Sequence, residues 1–232
     1  MSLFMSTAQT VASTLCLCVV FVNYDKNIME YKAIDLGLPS GRLWSDRNVG
    51  AEKETDYGLY FQWGETVGYT DASHSTWETC PGNGGDSDYN AKSIAAWDTE
   101  NLKSVTGMEH SIKILKSEVD AATVNMGDKW RMPTIDDWVE LFENTNYEDA
   151  EIDGVKGGKF ISKADPSKYI FLPFAGAVVG GYFIYQRTFS YVWSSSVCLG
   201  SPARAYFIVT SESDYGSLAD CRHSSMSVRG VC

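Results

Sequence analysis

One stretch of this 232-residue sequence, 134–145, has a clear amphipathic helical repeat, and most of the rest has strand or turn character. That contrast suits a loop-rich fold in which short strands accompany one strong helix. Thr134 can cap the helix, and Asp137 three residues later closes a capping box. Ile135, Trp138, Leu141 and Phe142 share one face at helical spacing, with Asp136, Asp137, Glu140 and Glu143 turned to water. The acidic first turn suits the helix dipole. The pattern predicts an anchoring element, not a site.

Residues 31–66 read as strand, turn, strand. Leu36-Gly37-Leu38-Pro39-Ser40-Gly41 supplies turn chemistry, Leu43-Trp44 is extended, and Asn48-Val49-Gly50 turns again. Leu59 to Glu65 is rich in strand formers. From Tyr147 on, short strands alternate with glycine-rich turns. The strand candidates are Ile170 to Pro173, Tyr191 to Trp193, Ala205 to Val209 and Met226 to Val231. In the last, Met226 and Val228 alternate with Ser225, Ser227 and Arg229, which predicts a half-buried strand. The 13 Tyr, 10 Phe, 7 Trp and 20 Gly against 6 Pro suit a loop-rich fold with large side chains plugging its turns. Hydrophobic residues at 44% and charged residues at 21% exclude wholesale disorder.

Residues 67–105 have the weakest pattern, and Cys80 to Asp86 reads as a surface loop. Asp86-Ser87-Asp88-Tyr89-Asn90 opens like a calcium loop. Ala91 then replaces the glycine of the sharp turn, and Trp97 falls where the bidentate Glu belongs. An ordinary Asp-rich loop is the better reading, and neither a metal nor a cofactor is expected.

The net charge is −11, from 19 Lys and Arg against 30 Asp and Glu. Tyr147 to Cys232 holds eight of each sign, so the whole excess lies in residues 1–146. That balance opposes nucleic-acid binding and reads as a solvated acidic face, leaving the neutral C-terminal part free to form a binding surface. No apolar run approaches the ~20 residues of a membrane span. Leu15 to Val22 is apolar and partly β-branched, with no basic residue before it and no small-residue cleavage site after it. Residues 1–30 are therefore expected to form an arm that docks on the main domain, 31–232, or on a partner subunit, which leaves a homo-oligomer open. A degenerate signal peptide is the runner-up. Among Cys16, Cys18, Cys80, Cys198, Cys221 and Cys232 there is no C-x-x-C and no zinc spacing. Cys16 and Cys18 read as buried thiols, and a bridge among the last three is not deducible.

Several strings share a family pattern: LGLPSGRLW at 36–44, NVGA at 48–51, YGLYFQWGET at 57–66 and DAATVNMGDKWRMPT at 120–134, then IFLPFAG at 170–176, WSSS at 193–196 and SVRGV at 227–231. Together, and in order, they resemble the Fibrobacter succinogenes major paralogous domain family of gut Bacteroidetes and their phages. Trp130-Arg131-Met132-Pro133-Thr134 with Trp138 also resembles the core signature of the formylglycine-generating-enzyme group, part of the C-type lectin-like superfamily. The resemblance implies an α+β, C-type lectin-like fold: short twisted strands, one or two helices and long loops. Gly230 stands where the family usually has proline, and residues 1–30 lie outside the resemblance.

The enzyme reading is poor. The closely spaced C-terminal cysteine pair of formylglycine-generating enzymes is absent, as are a nucleophile elbow and H-E-x-x-H, and His74, His110 and His223 have no evident partners in sequence. Ser194-Ser195-Ser196 reads as structural. The Glu-Pro-Asn and Gln-Pro-Asp tripeptides of calcium lectins are also missing. Residues 182–225, by contrast, are rich in Tyr, Ser, Gly and Arg, a paratope-like composition. Phe189, Trp193 and Phe207 are assigned to the core. Tyr182, Tyr185, Arg187, Tyr215, Arg222 and His223 are expected to converge on one exposed ligand-binding surface. The nine Asn all lie at or before Asn146, which is compatible with the diversified loops of retroelement variable proteins of similar fold. The resulting expectation is a non-enzymatic adhesion protein at a virion surface, contacting host-surface glycan or protein. Residues 1–30 would join it to other virion or surface proteins. A bacterial surface or secreted adhesin is the alternative.

Overall fold

A computed structural model describes residues 30–74, 97–103, 109–198, 201 and 203–232. The expected arm with Cys16 and Cys18, the Cys80 loop and the Asp86 to Asn90 string lie outside these residues. The strands of the first half are β1 (Ala33–Asp35), β2 (Leu43–Ser45), β3 (Phe61–Gln62), β4 (Trp97–Lys103) and β5 (Glu109–Leu115). Helices α1 (Ala121–Met126) and α2 (Ile135–Asn144) follow. Then come β6 (Thr145–Ile152), β7 (Val155–Ser162), β8 (Tyr169–Pro173), β9 (Ala177–Val179) and β10 (Tyr182–Ile184). The chain finishes with β11 (Ser190–Val197), β12 (Arg204–Thr210), β13 (Tyr215–Cys221) and β14 (Ser225–Met226).

These strands form a five-stranded sheet in the order β13-β12-β11-β5-β4, with smaller sheets β10-β9-β14-β3, β6-β7-β8 and β1-β2. Their pairings are antiparallel, so the architecture is mostly antiparallel β with few helices. The five-stranded sheet separates two clusters. Trp193, Ala205 and Phe207 face one, with Trp63, Trp130 and Met226; Val192 and Ile208 face the other, with Trp44, Trp138 and Leu141. Period-2 alternation along β11 and β12 assigns neighbours to opposite clusters. The YGLYFQWGET and WSSS strings are joined reciprocally: Trp63 Nε1 donates to Ser194 O (2.8 Å) and Trp193 Nε1 donates to Phe61 O (2.9 Å). Both rings are thereby buried without an orphaned N–H. No helix among the described residues is long and apolar enough to cross a membrane.

Helix α2 starts where the sequence places it. The Thr134 side chain accepts from Asp137 N, and the Asp137 carboxylate accepts from Thr134 N, the full capping box. Trp130 and Trp138 are fully buried, and Trp138 meets Trp44 edge-on at 4.5 Å. Phe142 is only half-buried. Asp137 corrects the expectation of a solvated helix face. The box pulls its carboxylate back to the helix start, where Arg131 donates through Nη1 (2.7 Å) and Nη2 (3.1 Å) and Arg42 through Nε (3.2 Å). Burial alone would raise this carboxyl, but Arg131, the Thr134 N–H and Arg42 outweigh it and hold it below its ordinary range.

The C-terminal segment departs further from the pattern. Only Ser225–Met226 is a regular strand, and residues 227–231 are buried on both sides. The segment threads between sheets: Ser227 bridges to Val192, and Val231 bridges to Trp44 and Arg131. Period-2 alternation therefore carries polar residues inward here. Ser227 donates to Tyr57 O (3.3 Å), while Arg229 donates to Ser45 O (3.0 Å) and Phe171 O (2.5 Å). A Cβ on Gly230 would stand 2.6 Å from Met126 Sδ and 3.1 Å from the Trp130 ring, so a larger residue here requires the Met126 side chain to move.

Candidate functional site

The β9–β10 hairpin carries the most exposed aromatic side chains among the described residues. Gly180 and Gly181 both have positive φ, 58° and 81°, the two-residue turn whose twist matches the flanking strands. The pairing Tyr182↔Val179, Phe183↔Val178 and Ile184↔Ala177 turns Ile184 toward the core. Tyr182 stays 75% exposed and Phe183 40%, the latter meeting Tyr60 edge-on at 5.5 Å.

The chain then folds back sharply. Tyr185 and Arg187 adopt φ of 56° and 66°, a left-handed conformation that disfavours residues with a Cβ, and both side chains are exposed. The surrounding backbone enforces it. Gly176 N donates to Phe189 O (2.8 Å), Arg187 N to Phe174 O (2.7 Å) and Phe189 N to Tyr185 O (3.1 Å). Gln186 Nε2 reaches Tyr60 Oη (3.1 Å), which itself donates to Ala175 O (2.6 Å). Gly176 is the pivot: a Cβ there would lie 2.2 Å from Ile184 O.

Tyr185 rests on an aromatic floor. It stacks on Tyr191 at 6.2 Å and meets Phe189 edge-on at 5.5 Å, and Tyr191 stacks on Phe207 at 5.4 Å. Burial, with Tyr185 and Asp220 nearby, raises the Tyr191 hydroxyl above its ordinary value, so it remains a neutral hydrogen-bonding group. Across the sheet, Leu218 pairs with Phe207 and is 56% exposed. Tyr185 thus joins the sheet face carrying Tyr191, Phe207 and Leu218, with Tyr182 and Arg187 exposed on the chain to either side of it, while Phe183 packs away on Tyr60.

Three of the six expected residues, Tyr182, Tyr185 and Arg187, lie together on this hairpin. The other three are corrected. Tyr215 points to the opposite face of β13, where its ring packs 4.8 Å from both Phe142 and Tyr147 and 5.4 Å from Phe160. Arg222 is 1% exposed, its guanidinium 4.7 Å above the Trp63 ring and its carbonyl accepting from Trp63 N. His223 is half-buried, and its carbonyl accepts from Gln62 Nε2 (2.8 Å). These last two fasten the Gln62-Trp63 segment. Phe189, assigned to the core, is half-buried beneath Tyr185. Sequence reasoning left Phe183, Tyr191 and Leu218 out of the site; only strand register assigns Leu218 to the face of Tyr191.

In the turn that follows β3, Glu65 is half-buried. Burial pushes its carboxyl up to about 7, against the lowering effect of hydrogen bonds from Gln62 N and Tyr69. Among the described residues no group of three or more His, Cys, Asp or Glu could hold a metal. Cys198, Cys221 and Cys232 form no disulfide among the described residues.

Compared with protein-family models, curated proteins and solved structures, the chain matches none of them.

Proposed function

We propose that this chain is a non-enzymatic adhesion module with a C-type lectin-like fold, binding host-surface glycan through the β9–β10 hairpin and the adjoining sheet face. The observation that carries the reading is the pair Tyr185 and Arg187. Both are held at positive φ by a network of backbone hydrogen bonds, and both keep their side chains in solvent. Backbone strain of this kind persists only where the surroundings enforce it, and it concentrates at ligand-contacting segments. Exposed rings on a rigid support offer flat apolar faces to sugar C–H groups, and Arg187 adds a hydrogen-bonding fork. The antiparallel sheets, the short helices and the strings quoted above support the fold. In this reading residues 1–30 attach the module to a virion, or alternatively to a bacterial surface assembly.

A glycan array probed with the full chain tests the proposal. Tyr185→Ala is expected to weaken a retained glycan by about 2 kcal/mol, more than tenfold in Kd, with the melting temperature little changed. Lys163→Ala, at an exposed side chain that donates to Glu143 O at the end of α2, should bind as the parent does. Retention of no glycan, together with Tyr185-dependent binding to a host-cell protein, would replace the glycan by a protein ligand. Binding indifferent to Tyr185 would remove the face altogether.

A further inference from the structure

We propose that a second pocket, remote in sequence from the hairpin, binds a small oxyanion, either the carboxylate of a sugar acid or free phosphate. The pocket, about 350 Å³, is lined by residues that include Arg42, Lys116, Lys129, Arg131 and Ser195. Four cations from three segments thus converge within residues 1–146, which carry the whole net charge of −11.

The nearby side-chain carboxylates are already engaged or peripheral. Asp120 accepts from Thr123 N (2.9 Å) and Met132 N (2.9 Å). Asp137 is held by Arg131, Arg42 Nε and the α2 cap. Asp128 is exposed at the rim. This leaves the two terminal nitrogens of Arg42, together with Lys116 and Lys129, without an Asp or Glu partner among the described residues. The Lys129 ammonium sits over the Trp130 ring at 5.3 Å.

Ser195 supplies the independent sign of a ligand. Its neighbours are satisfied: Ser194 Oγ donates to Tyr206 O (2.9 Å), and Ser196 Oγ accepts from Ile135 N (3.0 Å). The Ser195 hydroxyl is buried and has no hydrogen-bond partner among the described residues. Buried hydroxyls are rarely left unmatched, and Ser195 is among the residues that line the cationic pocket. An oxyanion would accept from the hydroxyl and pair with the Arg42 fork, while the lysines act as point charges. The volume suits a group of monosaccharide size or smaller.

Titrating the full chain with sodium glucuronate, with inorganic phosphate and with glucose, at low and high salt, tests this. The expected result is saturable, salt-weakened binding of at least one anion and none of glucose. The tighter anion identifies the source, sugar acid or free phosphate. Ser195→Ala and Lys116→Ala should each weaken it by about tenfold. The melting temperature of Ser195→Ala should hold or rise, because an unmatched hydroxyl is removed. Absence of saturable binding by either anion, or unchanged binding in both folded variants, overturns the proposal. The aromatic-face reading stands or falls separately, on Tyr185.

Discussion

The five-stranded sheet has aromatic residues against both faces, yet the two faces are finished differently. On one, Val192 and Ile208 meet Trp138, Leu141 and Trp44, and Tyr215 is enclosed by Phe142, Tyr147 and Phe160. On the other, Tyr191 and Phe207 carry Tyr185, and Leu218 stands in solvent. Tyr215 and Leu218 belong to the same strand and differ in the parity of their positions. Residue type therefore does not decide exposure here. Strand parity selects the face, and the presence of α2 and the β6–β7 hairpin decides whether that face is covered. The same holds for arginine: Arg187 is free on a turn, while Arg222 and Arg229 are buried within the fold.

The largest expected effect lies on the covered face. Trp138→Ala removes a fully buried ring and should cost about 3–5 kcal/mol in denaturant unfolding, whereas Leu218→Ser should stay within about 0.5 kcal/mol. Comparable losses at the two sites would mean that Leu218 is covered in solution, and the contrast between the faces would fail. Next is Gly176→Ala. A Cβ there combines positive φ (67°) with a close approach to Ile184 O, so a loss of at least about 2 kcal/mol is expected, together with loss of ligand binding. A smaller effect of opposite sign belongs to Arg187→Gly, which relieves the left-handed conformation at an exposed side chain. Stability should rise by about 1 kcal/mol while binding weakens. A variant that is both more stable and still fully active would show that the strain serves no ligand.

The covered face was far more legible in sequence than the open one. Helix α2, its capping box and the burial of Trp138 follow from spacing within a few residues, which local physics determines. Tyr182, Tyr185 and Arg187 were legible because Gly180-Gly181 and polar neighbours mark an exposed turn. The errors arose from long-range pairing. Arg222 looks exposed in a Ser- and His-rich string, but β14 pairs with β3, more than half the chain away, and brings it over Trp63. Asp137 reads as solvated until Arg42 arrives from another segment. The Met226 to Val231 alternation is real, but it presumes a solvent side where the chain has none.

The smallest expected effect compares two carboxylates, one from each setting. Asp137, held below its ordinary range, contributes stability that is present at neutral pH and lost only as pH falls through its folded value. Glu65 has the opposite sign. Burial lifts it from 4.5 to about 7, so between these values the native state binds more protons than the unfolded state. Its contribution is fully present below the ordinary carboxylate range and is lost as pH rises through 7. Glu65→Gln keeps a neutral side chain of similar shape and removes this titration. Melting temperatures of parent and variant, compared between about pH 5 and 8, should diverge, the parent losing stability relative to the variant as pH rises. Asp120, also lifted by burial, is common to both proteins and cancels in the difference. Because Glu65 is only half-buried, solvent screens the effect and the divergence should be modest. Parallel pH curves would show that Glu65 titrates as an exposed carboxylate, and the turn after β3 would then be more open than its packing indicates.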